Sequence, residues 1–145
     1  MSDTAPDREI LEKFRKRLAT LDGVTVYLGK SIDPEHDDLP AVTVVAADPA
    51  EMRDDGAPPE LRWRLVYDFQ ADLKVPGPDP LVDLMEFARK LRRAIYRPDD
   101  PSMGYLATEH RPIQCQYFVP APGSVIGSVL VRVAVDYVEE FYNDR

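Results

Sequence analysis

Residues 63–73, WRLVYDFQADL, alternate apolar and polar side chains almost without fault. Trp63, Leu65, Tyr67, Phe69, Ala71 and Leu73 form one set, Arg64, Asp68, Gln70 and Asp72 the other, and Val66 is the single exception. A two-residue period puts each set on one side of an extended chain, which makes this a strand with one buried face, as in an antiparallel sheet. The following VPGPDP, residues 75–80, interrupts any regular element. Asp79-Pro80 then reads as a helix N-cap followed by proline at the first helical position. From there Leu81, Leu84, Met85, Ala88, Leu91 and Ile95 recur every three or four residues, so the sequence predicts a helix over 80–96 whose apolar stripe lies across the strand before it. Strand, connection and helix form one folding unit, and it contains no recognisable chemistry.

The rest of the chain is arranged around that unit. Ile10, Leu11, Phe14, Leu18 and Leu21 predict an amphipathic helix over 7–21, with Gly23 as its stop, and residues 1–6 are expected to be disordered. A short strand follows at 24–28, and the valine-rich 41–47, AVTVVAA, reads as a strand near the sheet centre. DPAEMRDDGAPPEL, residues 48–61, reads as a long acidic contact loop. After the second helix, 98–110 is turn-rich. Ile113, Cys115, Tyr117 and Val119 then predict one strand, and Val129, Val131, Val133, Val135 and Tyr137 the last. The expected fold is a single α+β domain over 1–145: a mainly antiparallel five-stranded sheet with two helices packed on it and hairpins at both ends of the chain. Twelve-residue strands extend roughly 40 Å, whereas each helix reaches only about 25 Å. Part of the strand length is therefore expected to be covered by another subunit.

Charge narrows the function classes. Residues 31–60 hold nine acids, Asp33, Glu35, Asp37, Asp38, Asp48, Glu51, Asp54, Asp55 and Glu60, against Arg53 alone, and this accounts for the whole net charge of −8. Such a segment does not grip phosphates, although nucleic acid could slide past it. No apolar run is long enough for a membrane span, and the polar, acidic start of the chain reads as cytoplasmic rather than secretory. Cys115 is the only cysteine, so neither an internal disulfide nor a cysteine-rich zinc site is expected.

The candidate chemistry is thin. DPEHDD, residues 33–38, offers Asp33, Glu35, His36, Asp37 and Asp38 as oxygen and nitrogen donors, but without the glycine and glutamate spacing of a calcium loop it reads as a solvated acidic loop. His110, beside Glu109 and Arg111, reads as a surface histidine, and Cys115 as a packed core thiol. No phosphate-binding glycine pattern and no nucleophile elbow occurs. Neither an enzyme nor a cofactor or metal site is therefore expected. The one basic cluster is RKLRRAIYR, residues 89–97. In it Arg89, Arg92 and Arg93 share an outward arc beside Tyr96, and Arg97 follows. These cations suit a helix C-terminus. They also suit the acidic segment of a neighbouring copy, whose Asp33, Asp37, Asp38, Asp54 and Asp55 complete the candidate contact set in a head-to-tail arrangement that can close a ring.

In the order of its elements and in several strings the chain resembles the tail terminator proteins of long-tailed bacteriophages. The resembling pieces are the opening helix, LPAVTVV at 39–45, WRLVYDFQADL at 63–73, PLVDLMEFARKLRRAIY at 80–96 and VLVRVAVDYVEEF at 129–141. The Pro-rich APPEL at 57–61 and PAPG at 120–123 depart from the pattern. The resemblance implies a virion structural protein without catalysis, assembled in the host cytoplasm. It implies a hexameric ring that caps the tail tube, stops its polymerisation and offers the surface for head-tail joining. Its partners would be the tail tube protein and a neck or head-completion protein, with DNA passing through without specific binding. The alternatives are a neck or head-tail connector component and, from another class, a small-molecule-binding α+β domain.

Overall fold

The computed structural model describes residues 6–29, 39–48, 50–52, 60–100, 102–104, 107 and 109–140. Its elements in chain order are α1 (Pro6–Leu18), β1 (Thr25–Leu28), β2 (Ala41–Ala46), β3 (Ala50–Met52), β4 (Glu60–Lys74), α2 (Pro80–Ile95), β5 (Glu109–Phe118) and β6 (Ile126–Glu140). The α+β class holds. The sheet runs β1-β2-β4-β6-β5, with β3 lying along β4 beyond the end of β2. At its centre β4 and β6 pair over their whole length, from Glu60 opposite Glu140 to Lys74 opposite Ile126.

The alternation read from residues 63–73 sets the layers. Leu65, Tyr67, Phe69, Ala71 and Leu73 of β4 and Val129, Val131, Val133 and Val135 of β6 are buried on one face. There they meet Ile10, Phe14 and Leu18 of α1 and Leu84, Ala88, Leu91 and Ile95 of α2. The Phe14 ring stands edge-on to Tyr67 and Phe69, at centroid distances of 5.2 and 5.1 Å. At the tip of the β5–β6 hairpin, a Cβ on Gly127 would come within 3.1 Å of Leu84 Cδ2 and of the Phe118 carbonyl, so only glycine lets α2 approach this closely.

Several expectations are corrected. β1 and β2 are parallel, not a hairpin, with Thr25 opposite Ala41 and Leu28 opposite Val44. The dozen or so residues between them are enough for a crossover, and no turn signal in the sequence dictates otherwise. The sheet is thus mixed rather than purely antiparallel. Residues 50–52, placed in a loop from sequence, pair with Arg62–Arg64 of β4 and extend the edge that β2 begins. α1 ends at Leu18, and turns carry the chain through Leu21 to Gly23, whose φ of 71° suits glycine. Pro80 does open α2, but the Asp79 side chain makes no capping hydrogen bond. Pro6 belongs to α1, and the rest of the N-terminal stretch expected to be disordered lies outside the described residues.

The expected shortfall of helical cover also changes place. On the helix side, β4 is buried from Leu65 to Leu73 and β6 from Val129 to Tyr137, because Met103 and Ala107 after α2 complete the lid. Apolar surface is left over elsewhere. Leu81, Val82 and Met85 on α2, Ile113, Phe118, Val119 and Val125 along and beyond β5, and Val45 on β2 are all between 42% and 55% exposed. Leu81 and Met85 therefore fall outside the buried stripe predicted for α2.

Candidate functional site

Two groups of polar residues are organised by the fold: a buried junction on the helix side and an open ladder on the other face. The junction begins with Arg17, which lies on the same arc of α1 as Phe14 and Leu18 and is 6% exposed. Its Nη1 donates to the Ile95 carbonyl at 2.8 Å, so a cation from α1 caps the C-terminus of α2. The same nitrogen lies 2.9 Å from His110 Nε2, and Nη2 bonds Asp100 Oδ2 at 3.1 Å. The Arg97 amide also donates to His110 Nε2, at 3.4 Å. Two donors converging on Nε2 make it an acceptor, with the imidazole proton on Nδ1. His110 is 1% exposed and packs beside Phe14 and Tyr96, so it is not the surface histidine expected from sequence.

Burial pulls the Arg17 guanidinium down from its ordinary value, and Asp100 opposes that pull. The Asp100 carboxyl is held below the usual carboxylate range, first by the Gly104 N–H and then by Arg17 and Lys13. Burial likewise pushes the Tyr67 phenol upward, and its hydroxyl donates to the Asp7 carbonyl at 3.0 Å. His110 has Nε2 occupied by structural donors and is almost wholly buried, so this junction is a clamp between the two helices and β5.

Outside the junction, a cleft of about 480 Å³ lies along α1, lined by Arg8, Glu9, Glu12, Lys13 and Lys16. A smaller one of about 280 Å³ is lined by Lys13, Lys16, Arg97 and the junction's Arg17 and Asp100. Cations and carboxylates are mixed in both. No cluster of three or more potential metal ligands occurs among the described residues.

The other face of the sheet has no covering layer within the described residues. Along its β4–β6 ribbon, polar pairs recur every fourth residue. Arg64 forks onto Asp136 at 2.8 and 3.1 Å, Arg132 forks onto Asp68 at 2.7 and 3.1 Å, and the Ser128 hydroxyl donates to Asp72 at 2.6 Å. Arg132 also reaches Gln114 of β5 at 3.1 Å. Between these rungs sit Val66 and Ala134, directly opposite each other. The alternation marks this face as polar, but the pairing partners depend on register and could not be read from sequence.

The basic run splits three ways. Arg89 and Arg93 are exposed and make no ion pair with any described residue, as the outward arc requires. Arg92 turns the other way and is half-buried under β5, where Nη1 donates to Cys115 Sγ at 3.3 Å. Burial works against its charge, and hydrogen bonds to Tyr117 and Cys115 more than offset that. Arg97 belongs with Lys13 and Lys16 at the α1 cleft. Cys115, expected as a packed core thiol, is half-buried at the rim of the core with Arg92 against it. The five candidate acids Asp33, Asp37, Asp38, Asp54 and Asp55, and the DPEHDD metal candidate, lie outside the described residues.

Sequence reasoning missed Arg17 and His110. The signal for Arg17 was its place three residues after Phe14 on the apolar arc. For His110 it was alternation with Pro112 and Cys115, hidden by a bulge between Pro112 and Gln114 that shifts the phase of β5. No protein-family model matches the sequence, and no curated protein matches it. No described helix is long and apolar enough to cross a membrane.

Proposed function

We propose that this chain is a structural protein of the tail-terminator kind. It would act as a hexameric ring that caps a phage tail tube, ends its polymerisation and presents the joining surface for the head, with DNA passing through. The observation that carries this reading is the division of the sheet into a sealed side and a bare one. Among the described residues, the helix side is closed within one chain, whereas the ribbon's other face, both sheet edges and eight large apolar side chains are open. Unpaired sheet edges are templates for another chain's strand, and such edges fit a protein that works in an assembly. Arg89 and Arg93, cationic and without an ion pair among the described residues, add a contact of known sign. On this reading they meet the acidic 31–60 segment of the next copy.

The test is charge reversal. Arg89→Glu with Arg93→Glu is expected to lower the oligomer's stability to dilution by tenfold or more, read by sedimentation, while the unfolding midpoint of the chain stays where it was. Unchanged oligomers would remove the basic helix from the contact. Arg92→Glu is expected to unsettle the fold itself, because its guanidinium is packed against Cys115 and Tyr117.

A further inference from the structure

Among the described residues, no strand pairs with the outer side of either outer strand of the sheet, and the chemistry of the two edges matches. The Val75 N–H donates to the Val125 carbonyl, so the odd residues of β6 turn their main-chain groups toward β4 and the even ones toward β5. Pro112, which has no N–H, pairs with the odd residue Val133. Cys115 and Tyr117, opposite Val131 and Val129, therefore turn their N–H and C=O groups out of the sheet. At the other edge, the N–H groups of Thr25 and Gly29 bond the Pro40 and Val44 carbonyls of β2. Val24, Val26 and Leu28 thus turn theirs outward. Both sets of outward residues, Cys115 and Tyr117 on one edge and Val24, Val26 and Leu28 on the other, carry side chains that pack toward the helix-side core.

We infer that β1 of one copy adds to β5 of the next, so that the sheet continues from subunit to subunit. Three properties on the page fit this occupant. First, β5 is antiparallel to β6, β6 to β4 and β4 to β2, while β1 is parallel to β2, so the two edges run in opposite directions. Copies related by rotation about a ring axis then meet in an antiparallel ladder, which a β1–β2 hairpin would have made parallel. Second, directly opposed hydrogen-bonded residues share a face, and the outward groups on both edges belong to helix-side residues, so joining keeps the helices on one side of a continuous sheet. Third, Val24–Leu28 and Gln114–Phe118 are equal in length and carry no charge, proline or glycine. Exposed edges are usually blocked by such residues. The blocking devices of β5, Glu109, Arg111, Pro112 and the bulge, all precede this stretch. The pairing places Cys115 opposite Val26 or Leu28 of the neighbouring copy and forms about four main-chain hydrogen bonds.

This inference rests on the ring reading above, and disulfide trapping separates the two. In a hydrogen-bonded antiparallel pair the Cα atoms lie about 5.5 Å apart, within the range a disulfide spans. In the full chain, mild oxidation of Val26→Cys or Leu28→Cys is expected to link Cys115 of one copy to the new cysteine of the next. The product would be a ladder of covalent species ending at the ring number and abolished by Cys115→Ser. A closed ring in solution with neither cross-link overturns the edge pairing and leaves the ring standing. Cross-linking of Tyr117→Cys to Cys115 that stops at a covalent dimer overturns it in favour of two β5 edges meeting about a two-fold axis. A monomer at every concentration ends both readings.

Discussion

The two faces of the sheet are built from the same two central strands, yet they are held by different physics. On the helix side, valines and aromatics of β4 and β6 are excluded from water by two helices, and the few polar groups there are fully engaged, as Arg17 and His110 are. On the other face the same strands carry half-exposed ion pairs separated by the Val66–Ala134 rung. Burial of the first kind stabilises a fold strongly, whereas partly exposed ion pairs contribute little. The comparison separates two contributions: one face keeps the chain folded, and the proposed function assigns the edges to partners.

Substitutions rank this difference. Phe14→Ala, which removes a ring packed between Tyr67 and Phe69, is expected to lower unfolding free energy by about 3–5 kcal/mol in urea titration. Arg17→Met is expected to cost about 3 kcal/mol, since it strips donors from the Ile95 carbonyl and His110 Nε2 inside the junction. Acid dependence comes next. The Asp100 carboxyl is depressed in the folded state, so its contribution is complete above the ordinary carboxylate value of about 4 and is lost as pH falls through the lower folded value. Asp100→Asn should flatten the acid limb of the stability-pH profile below about pH 4 while leaving the neutral region's slope unchanged. Arg132→Gln on the bare face should shift the unfolding midpoint least of all. If it destabilised the chain as much as Arg17→Met, the division between the two faces would fail.

Much of this division is legible in the residues. The two-residue alternation of 63–73 gives β4 and its buried face, and the three-and-four spacing after Pro80 gives α2. What is hidden depends on contacts distant in sequence. The parallel pairing of β1 with β2 leaves no local mark, because it is decided by how the chain returns after Gly29. The bulge at Ile113 moves that residue out to solvent and carries His110 inward, and a strictly periodic reading reverses both. Arg17 sits in a run of cations, FRKRL, that reads as solvated until α2 supplies a carbonyl for it to cap. Arg92 similarly looks exposed by charge and is drawn inward by Cys115 and Tyr117. Of the candidate contact set, Arg89 and Arg93 keep the exposed position the helix pattern gave them.

The central claim, a proposal, is that the open edges of the sheet are completed by further copies of the same chain. Mass measurement of the purified chain over a wide dilution series tests it most directly. The account predicts a closed hexameric ring that persists on dilution and is loosened by Arg89→Glu with Arg93→Glu. A monodisperse monomer at every concentration would contradict it.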